Sequence, residues 1–247
     1  MKKLVLILIT VAGMFLAGCA ANPVEKSISE SVNREVLFSL KDIAGDGSGP
    51  GYYQNPTDYE AYPTDTFDID EFIVEDAGSY IYFKVRFNEE VHRSTNFFGR
   101  WDQILIDIYI DRDQQSYSGE DDALPGRDIR FREENAWETV VMMSPLNSEW
   151  LKDFLDTEYE DTRTSLLYKN KRLVIPDFYV VGYDTITAKV PKYIIGEPRE
   201  WWGYQVAVMG FDPDLVNKDS LFVSSIRATP NKVNFGGGSA YYGNPNV

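Results

Sequence analysis

The stretch Gln103-Ile104-Leu105-Ile106-Asp107-Ile108-Tyr109-Ile110-Asp111 decides the class of fold. In an extended chain Ile104, Ile106, Ile108 and Ile110 line one face, and Leu105, Asp107, Tyr109 and Asp111 line the other. The isoleucine face belongs in a core. Working outward, Phe67 to Val74 and Tyr80 to Phe87 read as a hairpin turning at Asp76-Ala77-Gly78-Ser79, because alternating runs flank turn residues. Further strands are expected at Arg34–Leu40, Asp128–Arg132, Ala136–Met143, Arg172–Ile175, Phe178–Gly182, Thr185–Val190, Gly203–Met209 and Leu221–Ala228. One segment favours helix. In Glu149–Tyr159 the apolar residues Trp150, Leu151, Phe154, Leu155 and Tyr159 recur at helical spacing, with Asn147 or Ser148 as the cap. About ten strands and one peripheral helix predict an all-β fold, an antiparallel β-sandwich in which two sheets bury their apolar faces together.

The amino terminus carries a different signal. Lys2 and Lys3 precede the apolar run Leu4–Phe15, and Leu16-Ala17-Gly18-Cys19 follows; this is a lipobox behind a signal sequence. The run is too short for the ~20 residues of a spanning helix. Residues 1–18 are therefore expected to be a cleaved lipoprotein signal peptide. Cys19 would then carry diacylglycerol and a further acyl chain such as palmitate, with 19–33 as a polar tether and 34–247 as one domain. Ala20 stands where an Asp commonly retains lipoproteins at an inner membrane, so an extracytoplasmic location on either membrane of a two-membrane cell is left open.

Composition narrows the functions. Cys19 is the only cysteine, so the domain can form no internal disulfide and must draw stability from its core or from bound ions. The formal net charge of −15, more negative once Lys2 and Lys3 are removed, repels nucleic acid and attracts divalent cations. The single histidine, His92, leaves few parts for a triad or a zinc site. No nucleophile elbow, phosphate loop or dinucleotide fingerprint is present.

Two kinds of binding residue stand out. Asp42-Ile43-Ala44-Gly45-Asp46-Gly47-Ser48-Gly49 offers carboxylates in a glycine-rich loop, and Asp42, Asp46 and Asp68 are the candidate ligands of a structural calcium ion. Asp111 to Asp122 also begins D-x-D, but Ser116 and Asp122 break the EF-hand pattern. Aromatic residues make up 14% of the chain, enough to fill a core and still leave rings for stacking on sugar faces. The candidates for stacking are the exposed members of Trp101, Trp137, Trp201 and Tyr52.

Several stretches share an order that resembles a known family. They are Asp42 to Tyr53 with Tyr62-Pro63-Thr64, Phe67-Asp68-Ile69 with Phe72, Asp107 to Asp111, Ala123-Leu124-Pro125-Gly126-Arg127, Val190-Pro191-Lys192, Trp202-Gly203-Tyr204, Phe235-Gly236-Gly237-Gly238 and Asn244-Pro245-Asn246-Val247. Together they resemble the C-terminal domain of glucodextranase, with Val233 standing where that family favours an aromatic. The resemblance implies a β-sandwich similar to family-nine carbohydrate-binding modules and a non-catalytic role in carbohydrate binding or cell-surface attachment. The expected function is a lipid-anchored surface protein holding an α-glucan-like polysaccharide or cell-wall glycan. The alternatives are a structural envelope-attachment protein and, behind it, a carboxylate-dependent glycoside hydrolase.

Overall fold

A computed structural model describes residues 33–47, 53–58, 62–63, 65–93, 101–160, 162–212 and 220–237. The expected leader, Cys19, nearly all of the tether and Tyr52 lie outside the described residues.

Among the described residues nine strands form two sheets, as an all-β sandwich requires. The first sheet takes β1 (Glu35–Lys41), β2 (Ile69–Ala77), β3 (Tyr80–Phe87), β7 (Phe178–Val181) and β8 (Thr185–Pro191) in the order β1-β2-β3-β8-β7, all antiparallel. The second takes β4 (Ile104–Asp111), β5 (Thr139–Met143), β6 (Leu173–Val174) and β9 (Gly203–Gly210) in the order β6-β5-β4-β9, with only β5 and β6 parallel. The expected hairpin is β2–β3. The isoleucine face of β4 packs into the space between the sheets, against Phe72, Val74, Phe83, Val85 and Ile186.

Its opposite face is buried as well. Every residue of β4 is buried, because Leu105 and Tyr109 meet a second apolar layer. That layer holds Trp137, Leu124 and Phe222 together with Leu151, Phe154 and Leu155 of α1 (Ser148–Thr157) and Leu167 of α2 (Arg163–Lys169). Helix α1 falls where its periodicity places it, and the Asn147 side chain caps it by accepting from the Trp150 N–H at 3.0 Å. Helix α2 is an addition to the single expected helix. Its seven residues are too few to show a period, and the Thr162 cap with a buried Leu167 decides it. A four-residue turn, α3 (Lys192–Ile195), follows β8.

The second layer encloses a charge pair. Arg127 Nε donates to Asp107 Oδ2 at 2.7 Å and Nη2 to Oδ1 at 3.3 Å, and both side chains have no accessible surface. The Tyr109 hydroxyl donates to the same Asp107 Oδ2 at 2.9 Å and accepts from the Leu124 N–H at 3.2 Å. Arg127 Nη1 reaches the carbonyls of Pro125, Ser220 and Leu221. Burial alone would lower the Arg127 pKa, but the Asp107 charge and hydrogen bonds hold it above its ordinary value. The fork geometry and the added carbonyls satisfy both ions, which is what a buried pair needs to offset its desolvation.

This network explains two strands that do not form. The segments 128–132 and 221–228 contain only isolated bridges, Asp122 with Arg130, Phe211 with Val223 and Ile226 with Phe235. Asp128, Leu221 and Phe222 have φ of 42°, 40° and 68°, which turns the chain away from extended geometry. Such residues cost roughly 1–2 kcal/mol each. The carbonyls of Ser220 and Leu221 are held by a guanidinium rather than a neighbouring strand. Gly126, at φ 82°, lies so close to Ser220 that a side chain there would collide with its backbone.

Removing one partner of this pair leaves an uncompensated buried charge. Asp107→Ala is expected to lower the unfolding free energy by about 3–5 kcal/mol, with the Asp107→Leu/Arg127→Met double variant losing less than the single. Urea denaturation measures both.

Candidate functional site

The first sheet hands the chain from β1 to an acidic loop. At its start the Asp42 N–H donates to the Asp70 carbonyl at 2.9 Å, and Asp42 Oδ1 accepts from the Ile43 N–H at 2.9 Å. Gly45 supplies a left-handed turn at φ 92° and donates its N–H to Asp68 Oδ2 at 2.8 Å. Gly47 lies against the Asp68 backbone, where an added Cβ would approach Asp68 Cβ to 2.8 Å. The loop therefore wraps Asp68, which is only 2% exposed. The three carboxylates singled out in the sequence thus share one corner of the molecule. Loss of hydration, then repulsion from Asp42 and Asp68 and a hydrogen bond to Asp68, push the Asp46 carboxyl above its ordinary pKa.

Asp42, Asp46 and Gly47 form one wall of a cleft of about 550 Å³, within the ~300–1,000 Å³ of small-ligand sites. Gly126, Arg127, Asp128 and Ile129, which the Asp107 pair holds in place, form another part of its lining. Edge strand β9 contributes Val206, Val208 and Met209, and Tyr53 and Asn55 add an aromatic ring and an amide. Ser224, 2% exposed, lines it with a hydroxyl that has no hydrogen-bond partner among the described residues. Carboxylates, amide and hydroxyl beside apolar surface match the needs of a polyhydroxylated ligand with C–H faces.

The candidate stacking residues separate. Trp101 is 1% exposed, donating its indole N–H to the Ile104 carbonyl at 2.8 Å and meeting Tyr179 edge-on. Trp137 is fully buried against Tyr109 in the second apolar layer. Neither can stack on a sugar, because each ring is spent on core packing. Trp201 is 53% exposed, tied through its indole N–H to the Arg112 carbonyl at 3.2 Å. It stands at the other acidic turn, where carboxylate oxygens of Asp111, Asp113 and Glu138 lie within 4.8 Å of one another. Most oxygens of that turn are taken by its own donors: Asp111 by the N–H groups of Asp113 and Gln114, Asp113 by Gln115 and Ser118, Glu138 by Arg112. The D-x-D is therefore no EF-hand, although Glu138 Oε1 is buried there with no hydrogen-bond partner among the described residues.

Residues 37–247 match the family model described as the C-terminal binding module, SLH-like, of glucodextranase. The chain belongs to this family. No curated protein matches it. In this glucodextranase C-terminal-type module the matched stretch includes both walls of the cleft and the buried Asp107–Arg127 pair. The family is a binding module and not a catalytic domain. The strand at β9 was expected, but its place in the cleft beside Asp128, Ser224 and Asn55 was not, since these come from separate stretches that only the fold brings together.

Phe67 and Phe235 also line the cleft, 5.1 Å apart between ring centres, and buried Tyr62 stacks on Phe67 at 6.3 Å. Burial, followed by the charges of Asp212, Asp102 and Asp58, pushes the Tyr62 hydroxyl up to about 12. An unfolded tyrosine ionises near pH 10, so the unfolded chain releases this proton first as the pH rises. The Tyr62 contribution is complete below pH 10 and is lost between 10 and about 12. Tyr62→Phe is expected to flatten the fall in urea-unfolding free energy over that window by on the order of 2 kcal/mol.

Proposed function

We propose that this protein is a lipid-anchored, non-catalytic glycan-binding protein that holds an α-glucan-like polysaccharide at the cell surface without cleaving it. The observation that carries the reading is the cleft, whose two walls both fall within the segment matching a binding module. Tyr53 supplies a ring for a sugar face, and Asp42, Asp46 and Asp128 supply acceptors for hydroxyl groups. The lipobox ending at Cys19 supports attachment through an acylated amino terminus, with the domain outside the cytoplasm. An acidic chain of net charge −15 tolerates neutral glycan better than anionic polymers.

A second reading is favoured by one observation, the SLH-like description of the family. In it the same module attaches to the cell envelope and has no soluble glycan ligand.

Affinity electrophoresis of the detergent-solubilised protein distinguishes the two. Retardation by glycogen, dextran or pullulan, reduced at least about tenfold in apparent affinity by Tyr53→Ala, is the expected result. Cys19→Ser should shift the protein from the membrane to the soluble fraction without changing retardation. Absence of retardation together with pull-down by cell-wall sacculi favours envelope attachment. Release of reducing sugar contradicts a non-catalytic role.

A further inference from the structure

The wrapped carboxylate at the acidic corner is left short of partners. Asp68 Oδ2 accepts from the Gly45 N–H at 2.8 Å and from Asn88 Nδ2 at 2.7 Å. Its Oδ1 is buried, in a residue only 2% exposed, and has no hydrogen-bond donor among the described residues. A buried oxygen of this kind forfeits the hydration it would have in water, a cost of about 1–3 kcal/mol or more when charged. Another acid lies beside this carboxylate. The Asp46 carboxyl lies in hydrogen-bonding contact with that of Asp68, and the Asp42 charge acts on the same group. Three acids thus share the corner in which this oxygen is buried.

We propose that Asp68, Asp46 and Asp42 bind a calcium ion that ties the β1–β2 loop to the body of the sandwich beside the cleft. A hard divalent cation satisfies the orphaned Asp68 oxygen and reverses the repulsion among the acids at once. Asp68 is the anchor, fixed at the start of β2 by Asn88 as an outer ligand-orienting group. Asp46 follows on the loop, and exposed Asp42 closes by a side-chain rotation from its hydrogen bond with the Ile43 N–H. Calcium is preferred over magnesium because carboxylates and waters can complete its irregular shell of about 6–8 oxygens, whereas magnesium demands a tight octahedron. Gly45 and Gly47 allow this closeness, one by its left-handed φ and the other by lacking the Cβ that would strike Asp68.

Although the corner forms one wall of the cleft, this inference does not rest on the glycan reading. Its test contains no sugar. The detergent-solubilised full chain, stripped with chelator, is titrated with calcium chloride by calorimetry, and its melting temperature is followed with and without about 10 mM calcium. The expected result is one saturable binding event in the wild type, with a rise of roughly 5 °C or more. Asp46→Asn alters an exposed side chain and should preserve the fold, read as an unchanged far-ultraviolet spectrum. It should weaken calcium at least about tenfold. Asp68→Asn should do the same if it folds, while Asp113→Asn, at the other acidic turn, should leave binding unchanged. A wild type without response, an Asp46→Asn variant that keeps the wild-type response, or an Asp113→Asn variant that loses it each overturns the proposal.

Discussion

A carboxylate and a guanidinium sealed from water govern this molecule. Asp107 projects from the central strand of the second sheet, on the face away from the isoleucines, and Arg127 meets it with two hydrogen bonds. Once the second apolar layer covers that face, neither ion can survive alone. The remaining donors of Arg127 then fix the carbonyls of Pro125, Ser220 and Leu221, so one side chain fastens two loops to the sheet. Those loops carry residues 126–129 and 223–224, one whole side of the cleft. That side of the cleft is therefore hydrogen-bonded to the core beneath it, and the left-handed backbone at Asp128, Leu221 and Phe222 is tolerated because the same network holds it.

The opposite side of the cleft depends on charge of one sign. Asp42, Asp46 and Asp68 crowd a loop whose glycines permit close approach, while the aromatic cluster of Tyr62, Phe67 and Phe235 gives the corner an apolar backing. The cleft thus joins a wall set by a neutralised pair to an acidic wall whose charges are of one sign. Apolar β9 lies between them, an edge strand with both faces half-covered.

Much of the fold was legible because its strongest signal is local. Alternation in β2, β3, β4 and β8 and the period of α1 are short-range patterns, and each element forms close to where it was expected. The second buried layer was hidden. The polar face of β4, with Asp107 and Tyr109, reads as solvent-facing until Arg127 and helix α2 are seen to cover it. The segments 128–132 and 221–228 have strand-like composition, and only the long-range hydrogen bonds of Arg127 explain why they bend. At the corner, Asp42 and Asp46 stand out in a glycine-rich loop, and the fold brings Asp68 beside them. Trp101 and Trp137 were not separable from Trp201 by composition, since a buried indole and an exposed one have the same sequence signature until packing is known.

Native-state hydrogen exchange on the wild-type protein tests the role of the buried pair most directly. If Asp107 and Arg127 lock the loop to the spine, the Leu124 and Arg127 amides should exchange only with the global unfolding seen for the amides of β4. Exchange of those loop amides through a low-energy local opening, while β4 stays protected, would show that the pair does not bind wall to core.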